Sequence, residues 1–268
     1  MSYNIFLAAL LFLLPTQTPI FHPAPPLNQG HSHNDYWRPH PLYDALHLGF
    51  KSVEADVFLI DTTLQVGHEP AALQRTKALQ SLYLDPLRKI QQSQGSFYIK
   101  PAELWLFVDF KNDGPATYAR LRQILARYRP MLSTPSNPRP NGVRVILTGG
   151  YPRAEVLADP DALVFLDGQL ADLGPTAPTT ICTVNGDWAT YFKWNGTGPM
   201  PAAEAARLRT WNDQAQRTGQ KIRFWNLSAT TPAQRRAMWA ALLRYPAVLV
   251  GADELVELKQ TIDAQPKS

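Results

Sequence analysis

The stretch Leu104–Phe110 reads LWLFVDF, and its reading decides the fold. Six of the seven residues are apolar, with Asp109 the one charge. A run this short and this continuous predicts a strand covered on both faces, as in a parallel sheet between helices. On its C-terminal side Tyr118, Leu121, Leu125 and Tyr128 recur at helical spacing. On its N-terminal side residues 52–60 (SVEADVFLI) read as a strand, and 64–67 as a shorter one after the turn Asp61-Thr62-Thr63. A first strand is expected near 27–30, followed by a helical turn after Pro41 carrying Leu42, Ala45 and Leu46.

The alternation continues. A Pro-rich loop at 130–140 leads to a strand at 143–147, a short helix near 153–157 and a strand at 163–166. Residues 168–201 read as irregular. A helix follows Pro201 (Ala205, Leu208, Trp211, Ala215) and stops at Gly219. A strand at 222–225, a helix after Thr231-Pro232 and a strand at 248–250 come next, and Asp253 is the expected cap of a last helix with Leu255, Leu258 and Ile262. The count is eight strands, and eight strand–helix units in about 240 residues match one α/β domain, a single (β/α)8 TIM-type barrel over 27–266.

Composition sets outer limits. The chain has 268 residues, 45% of them hydrophobic and 18% charged, which excludes a disordered polymer. The single cysteine, Cys182, excludes an internal disulfide and any metal site built from paired cysteines. The net charge of +4 comes from scattered arginines such as Arg120, Arg127, Arg207 and Arg235, a solvated outer face rather than a nucleic-acid surface. Transient contact with an anionic membrane surface stays open. Residues 5–14 (IFLAALLFLL) are ended by Pro15, too short for the ~20 residues of a membrane span. They read as the core of a signal peptide over 1–20, so a secreted or periplasmic monomer is expected.

In a barrel of this kind catalytic groups stand at the C-terminal ends of the strands. Those ends carry His31-Ser32-His33-Asn34-Asp35, then Glu54 and Asp56, then His68, then Asp109 and Lys111. Glu54 and Asp56 are two apart, so they share one face of a strand while Val53, Ala55 and Val57 take the other. Carboxylates crowded into a barrel mouth repel and lose hydration unless a cation joins them. A hard divalent metal, Ca²⁺ or Mg²⁺, with oxygen ligands supplies it. The plainer alternatives are a salt bridge or a register that turns both acids to solvent. Two histidines at strand ends beside such a cluster suit acid–base chemistry on a metal-bound phosphate, whereas His40 and His47 read as bystanders and Cys182 as inert. The His31-Ser32-His33 pair also opens amidohydrolase-type barrels, but those draw further histidines from later strands, and none follows His68. A non-catalytic barrel holding a phosphorylated ligand or sugar on Trp37, Trp194 and Trp225 is the other alternative.

Ser32-His33-Asn34-Asp35-Tyr36, Ala45-Leu46-x-x-Gly49, Glu54-x-Asp56 and Gly67-His68 together resemble the phospholipase C-like phosphodiesterase superfamily. With residues 106–111 (LFVDFK), 191–194 (YFKW) and 223–225 (RFW), the pattern is similar to the branch of altered inheritance of mitochondria protein 6. The resemblance implies a metal-dependent phosphodiester hydrolase acting on a phospholipid-derived or glycerophosphodiester-like substrate. It implies Asn34, Glu54, Asp56 and Asp109 as metal ligands, His33 and His68 as the acid–base pair, and Lys111 as a phosphate-binding group; Trp225 is expected to line the substrate wall. Asn34 stands where glycerophosphodiesterases carry Arg, and Asp109 where they commonly carry Glu. His31 offers a competing register for the first histidine. Whether water or a substrate hydroxyl attacks, and which histidine is the base, stays open.

Overall fold

The computed structural model describes residues 21–266. The segment expected as a signal peptide, 1–20, lies outside them. Nine strands follow in chain order: β1 (Leu27–Ser32), β2 (Phe50–Ile60), β3 (Thr63–Val66), β4 (Leu104–Phe110), β5 (Val143–Gly149), β6 (Phe165–Gln169), β7 (Ile181–Asp187), β8 (Lys221–Trp225) and β9 (Val248–Ala252). All except β3 run parallel, and β1 pairs with both β2 and β9, so eight staves close into a (β/α)8 barrel.

Two expectations about the staves need correction. Residues 64–67 are not a stave: β3 folds back antiparallel on the end of β2, pairing Val57 with Val66 through Ile60 with Thr63. The eighth stave is β7, within the region read as irregular. Pro175 and Pro178 mask its start, and Asn185-Gly186-Asp187 end it with turn-forming residues, yet Ile181, Cys182 and Val184 are buried. The barrel thus has eight staves with β7 in place of the 64–67 segment.

The helices are α1 (Tyr43–His47), α2 (Asp85–Gln94), α3 (Gly114–Leu125), α4 (Arg153–Ala158), α5 (Trp188–Tyr191), α6 (Ala202–Thr218), α7 (Pro232–Leu242) and α8 (Leu255–Asp263). Their ends follow local chemistry. Gly219 closes α6 in the left-handed region, and Thr231 and Gln234 satisfy each other's backbone N–H at the start of α7. Glu254, not Asp253, occupies the cap position of α8, because the Asp253 carboxylate is turned toward His33.

The strand faces sort the core. Val53, Ala55 and Val57 of β2 and Leu106 and Val108 of β4 are fully buried beneath the helices. The opposite faces fill the barrel, where Phe107, Ile146, Phe165, Cys182 and Leu249 form a separate apolar cluster. His31 packs edge-on against Phe107 with ring centroids 5.0 Å apart. This plug closes the centre of the barrel and leaves polar side chains above it.

Candidate active site

The parallel register between β2 and β4 places Asp56 opposite Asp109, with Glu54 opposite Phe107. Oxygens of Glu54, Asp56 and Asp109 thereby come within 4.8 Å of one another at the C-terminal mouth. Lys111 Nζ lies 3.0 Å from Asp56 Oδ2 and 3.4 Å from Asp109 Oδ2. Burial pushes the Asp56 carboxyl up. Burial and the charges of Glu54 and Asp56 push Asp109 up to about 6, although Lys111 pulls the other way. Gly149 of β5 abuts this carboxylate: it has φ +72°, and a Cβ there would overlap Asp109 Oδ1.

Glu54 is held from two sides. Arg223 Nη1 lies 3.1 Å from its Oε1, and His31 Nε2 lies 3.3 Å from its Oε2. Burial works to raise this carboxyl, but Arg223 and His31 outweigh it and hold it well below the usual carboxylate range. The second Arg223 arm donates to Asp167 Oδ2 at 2.9 Å and Thr148 Oγ1 at 3.1 Å. Asp167 also accepts from Thr183 and Asn185, so β2, β5, β6, β7 and β8 share one buried polar layer.

The two neighbouring histidines divide by depth. His31 is 1% exposed, accepts from or donates to Ser52 Oγ at 2.7 Å, and its pKa is lowered by burial. His33 opens to solvent, with Nδ1 3.0 Å from Asp253 Oδ1 and Nε2 3.9 Å from Glu54 Oε2. Burial works to lower its pKa, but the Asp253 hydrogen bond and the Glu54 charge raise it overall. Of the two, only His33 faces the mouth, while His31 belongs to the polar layer beneath it.

Asn34 is buried in the left-handed region at φ 45°. Its Oδ1 accepts from Tyr36 Oη at 2.8 Å, and the same hydroxyl reaches Asp56 Oδ2 at 2.9 Å. Asn34 is therefore linked to the carboxylates through Tyr36. His68 stands apart. It follows Gly67, whose N–H donates to the Asp56 carbonyl, but its ring is exposed, bonds Glu69 Oε1 at 3.0 Å and tilts against Trp37. A cavity of about 530 Å³ opens over the cluster, bounded by His33, Glu54, Asp109, Tyr151, Arg223 and Trp225. A second space of about 220 Å³ adjoins it between Trp225, Leu227 and Trp239.

The donor set fits a hard divalent cation. Glu54, Asp56, Asp109 and Asp167 face only two permanent cations among the described residues, Lys111 and Arg223. Two negative charges remain, the complement of one divalent ion, and the donors are oxygens. Among the described residues the group able to hold a metal contains no histidine, unlike an amidohydrolase shell. Trp194 is buried, with its indole N–H bonded to the Thr197 and Gly198 carbonyls, so it offers no platform to a ligand. Sequence reasoning missed Asp167 and Asp253, and it quoted Tyr36 and Arg223 without a role. The signal for Arg223 was available: a lone Arg inside the strand 222–225 needs a buried acid.

Comparison with known proteins agrees with this geometry. A family model described as the AIM6-like phosphodiesterase domain matches residues 24–160. Altered inheritance of mitochondria protein 6 homolog of Arthroderma benhamiae is 32% identical over 257 residues, covering 84% of this chain and 81% of that protein. Altered inheritance of mitochondria protein 6 of Eremothecium gossypii is 30% identical over 87% of this chain and 69% of its own length. The Saccharomyces cerevisiae protein of that name is 30% identical over 76% of this chain and 62% of its own. No solved structure matches. The expectation of a secreted or periplasmic protein is corrected by these relatives, whose names refer to the inheritance of mitochondria and point to a mitochondria-related setting. A matched model spanning half the chain, relatives aligned along most of it, and a carboxylate cluster at the barrel mouth lead to one assignment: this chain belongs to the AIM6-like phosphodiesterase domain family.

Proposed function

We propose that this protein is a metal-dependent phosphodiester hydrolase, and the observation that carries the reading is the convergence of Glu54, Asp56 and Asp109 beside His33 and Lys111. Glu54, Asp56 and Asp109 would hold Ca²⁺ or Mg²⁺, with Asn34 completing the oxygen set when Tyr36 yields its bond. Bound there, the ion supplies Lewis-acid polarisation of a phosphoryl oxygen. Lys111 neutralises a second phosphate oxygen as negative charge builds in the transition state.

His33 acts as the base. Asp253 accepts the Nδ1 proton, which leaves the Nε2 lone pair facing the mouth, where it takes the proton of the attacking hydroxyl. His68, on the loop after β3, is assigned from the family resemblance as the group that donates a proton to the leaving alkoxide; its ring bonds Glu69 and does not line the cavity over the cluster, so the resemblance alone carries this role. The apolar side of the adjoining space, formed by Trp225, Leu227, Ala229 and Trp239, suits the non-polar part of a phospholipid-derived substrate. Trp225, 48% exposed and hydrogen-bonded to Asn185 Oδ1, forms the wall between the two spaces.

The test is turnover of bis(4-nitrophenyl) phosphate and of a panel of glycerophosphodiesters and lysophospholipids, with Mg²⁺ or Ca²⁺ and then with chelator. Turnover that disappears with chelator and in Asp109→Asn is expected. Chelator-insensitive turnover, or none across the panel, overturns the reading.

A further inference from the structure

The opposite end of the barrel carries a cavity of about 660 Å³, within the range of small-ligand sites. Two lysines reach it from separated staves: Lys51 near the start of β2 and Lys221 at the start of β8. Both are half-buried, and both have only neutral acceptors among the described residues. Lys51 Nζ lies 3.2 Å from Asn28 Oδ1, and Lys221 Nζ lies 2.6 Å from the Pro246 carbonyl oxygen. Arg244 adds a third cation at the rim.

No carboxylate among the described residues lines this space. The acid that acts on Lys51 through space, Glu103, is engaged by Arg144 at 2.8 Å and by Ser133 at 2.5 Å. Burial lowers the pKa of both lysines, and the charge of Lys51 lowers that of Lys221 further. Like charges held partly out of water without a counter-ion are an unfavourable arrangement that a bound polyvalent anion relieves. Ammonium groups suit phosphate as point-charge donors. The rest of the wall mixes apolar Trp105, Leu249 and Ile262 with the neutral polar side chains Asn28, Gln29, Ser52 and Gln265.

We propose that the N-terminal mouth of the barrel is a second binding site, distinct from the carboxylate mouth, for a small phosphomonoester whose anion bridges Lys51 and Lys221 and whose apolar part lies against Trp105. The proposal stands on this end of the barrel alone and does not depend on the hydrolase reading.

Calorimetric titration of the full chain, free of added metal, tests it with two probes, phenyl phosphate and inorganic phosphate. Phenyl phosphate is expected to bind more tightly than inorganic phosphate. Its affinity should fall roughly 10-fold or more in Lys51→Met and in Lys221→Met, as loss of a charge-assisted contact implies. Lys51→Arg, which keeps the charge, and Lys111→Gln, at the other mouth, should retain binding. Equal affinity in the wild type and both Met variants overturns the proposal, as does loss of binding in Lys111→Gln alone. Failure of phenyl phosphate to bind overturns it too, and equal affinity for the two probes removes the apolar contact with Trp105.

Discussion

Arg223 Nη1 stands 3.1 Å from Glu54 Oε1, although 169 positions separate the two residues in the chain. This pair, with Asp167 on the other guanidinium arm, spans the interior of the barrel just beneath the carboxylate mouth. Arg223→Leu would leave two buried carboxylates uncompensated. A destabilisation of ~3–5 kcal/mol is expected, read as a lower urea midpoint with an unchanged slope. An unchanged midpoint would show that the network contributes nothing net.

Metal binding to the native state should raise the melting temperature by mass action. The shift is expected with Mg²⁺ or Ca²⁺ in the wild type and not in Asp109→Asn, whose loss of one ligand should weaken binding by at least ~10-fold, the lower range known for mere outer-shell changes. Equal shifts in both proteins would remove Asp109 from the ligand set.

Gly149→Ala tests the same carboxylate from the neighbouring strand. The new methyl would overlap Asp109 Oδ1 and force a non-glycine residue to φ +72°. A loss of ~1–3 kcal/mol is expected from the backbone alone, together with weakened metal binding as Asp109 is displaced. A stable variant with normal metal affinity would contradict the contact.

His68→Ala separates chemistry from folding. The side chain is 47% exposed and among the described residues hydrogen-bonds only its neighbour Glu69, so stability should change by no more than about 0.5 kcal/mol. The turnover number is expected to fall ~10²–10⁴-fold. Near wild-type turnover would leave His33 as the sole acid–base group.

Cys182 is buried, and burial pushes its thiol up to about 12. Alkylation by iodoacetamide at pH 8 should therefore be negligible in the native protein and complete after unfolding in urea. Rapid native labelling would mean that the apolar plug opens readily.

The parts legible in the sequence were those governed by short-range pattern. LWLFVDF announced a doubly covered strand, and the two-residue spacing of Glu54 and Asp56 placed both acids on one face, as the β2–β4 register bears out. What escaped were pairings between distant segments. Asp253 looked like a helix cap because cap preference is local, whereas its partner His33 is 220 residues away. β7 was hidden because its stabilising neighbours, β6 and β8, lie outside any local window. Residues 64–67 had the composition of a stave, and only the reversal at Asp61, with φ 53°, sends them back along β2.

Barrel closure has a consequence for the order of events in folding. The pairing of β1 with β2 and β9 joins the first stave to the last, and His33, directly after β1, finds Asp253 only across that seam. Glu54 likewise finds its guanidinium only when β8 has arrived. A nascent chain that has emerged as far as β5 already contains every acid expected to bind metal but none of the counter-charge that reaches them from β8. Lys111 already accompanies Asp56 and Asp109 at that stage, so Glu54 is the acid whose charge waits for closure, and its burial is tied to the arrival of the last staves.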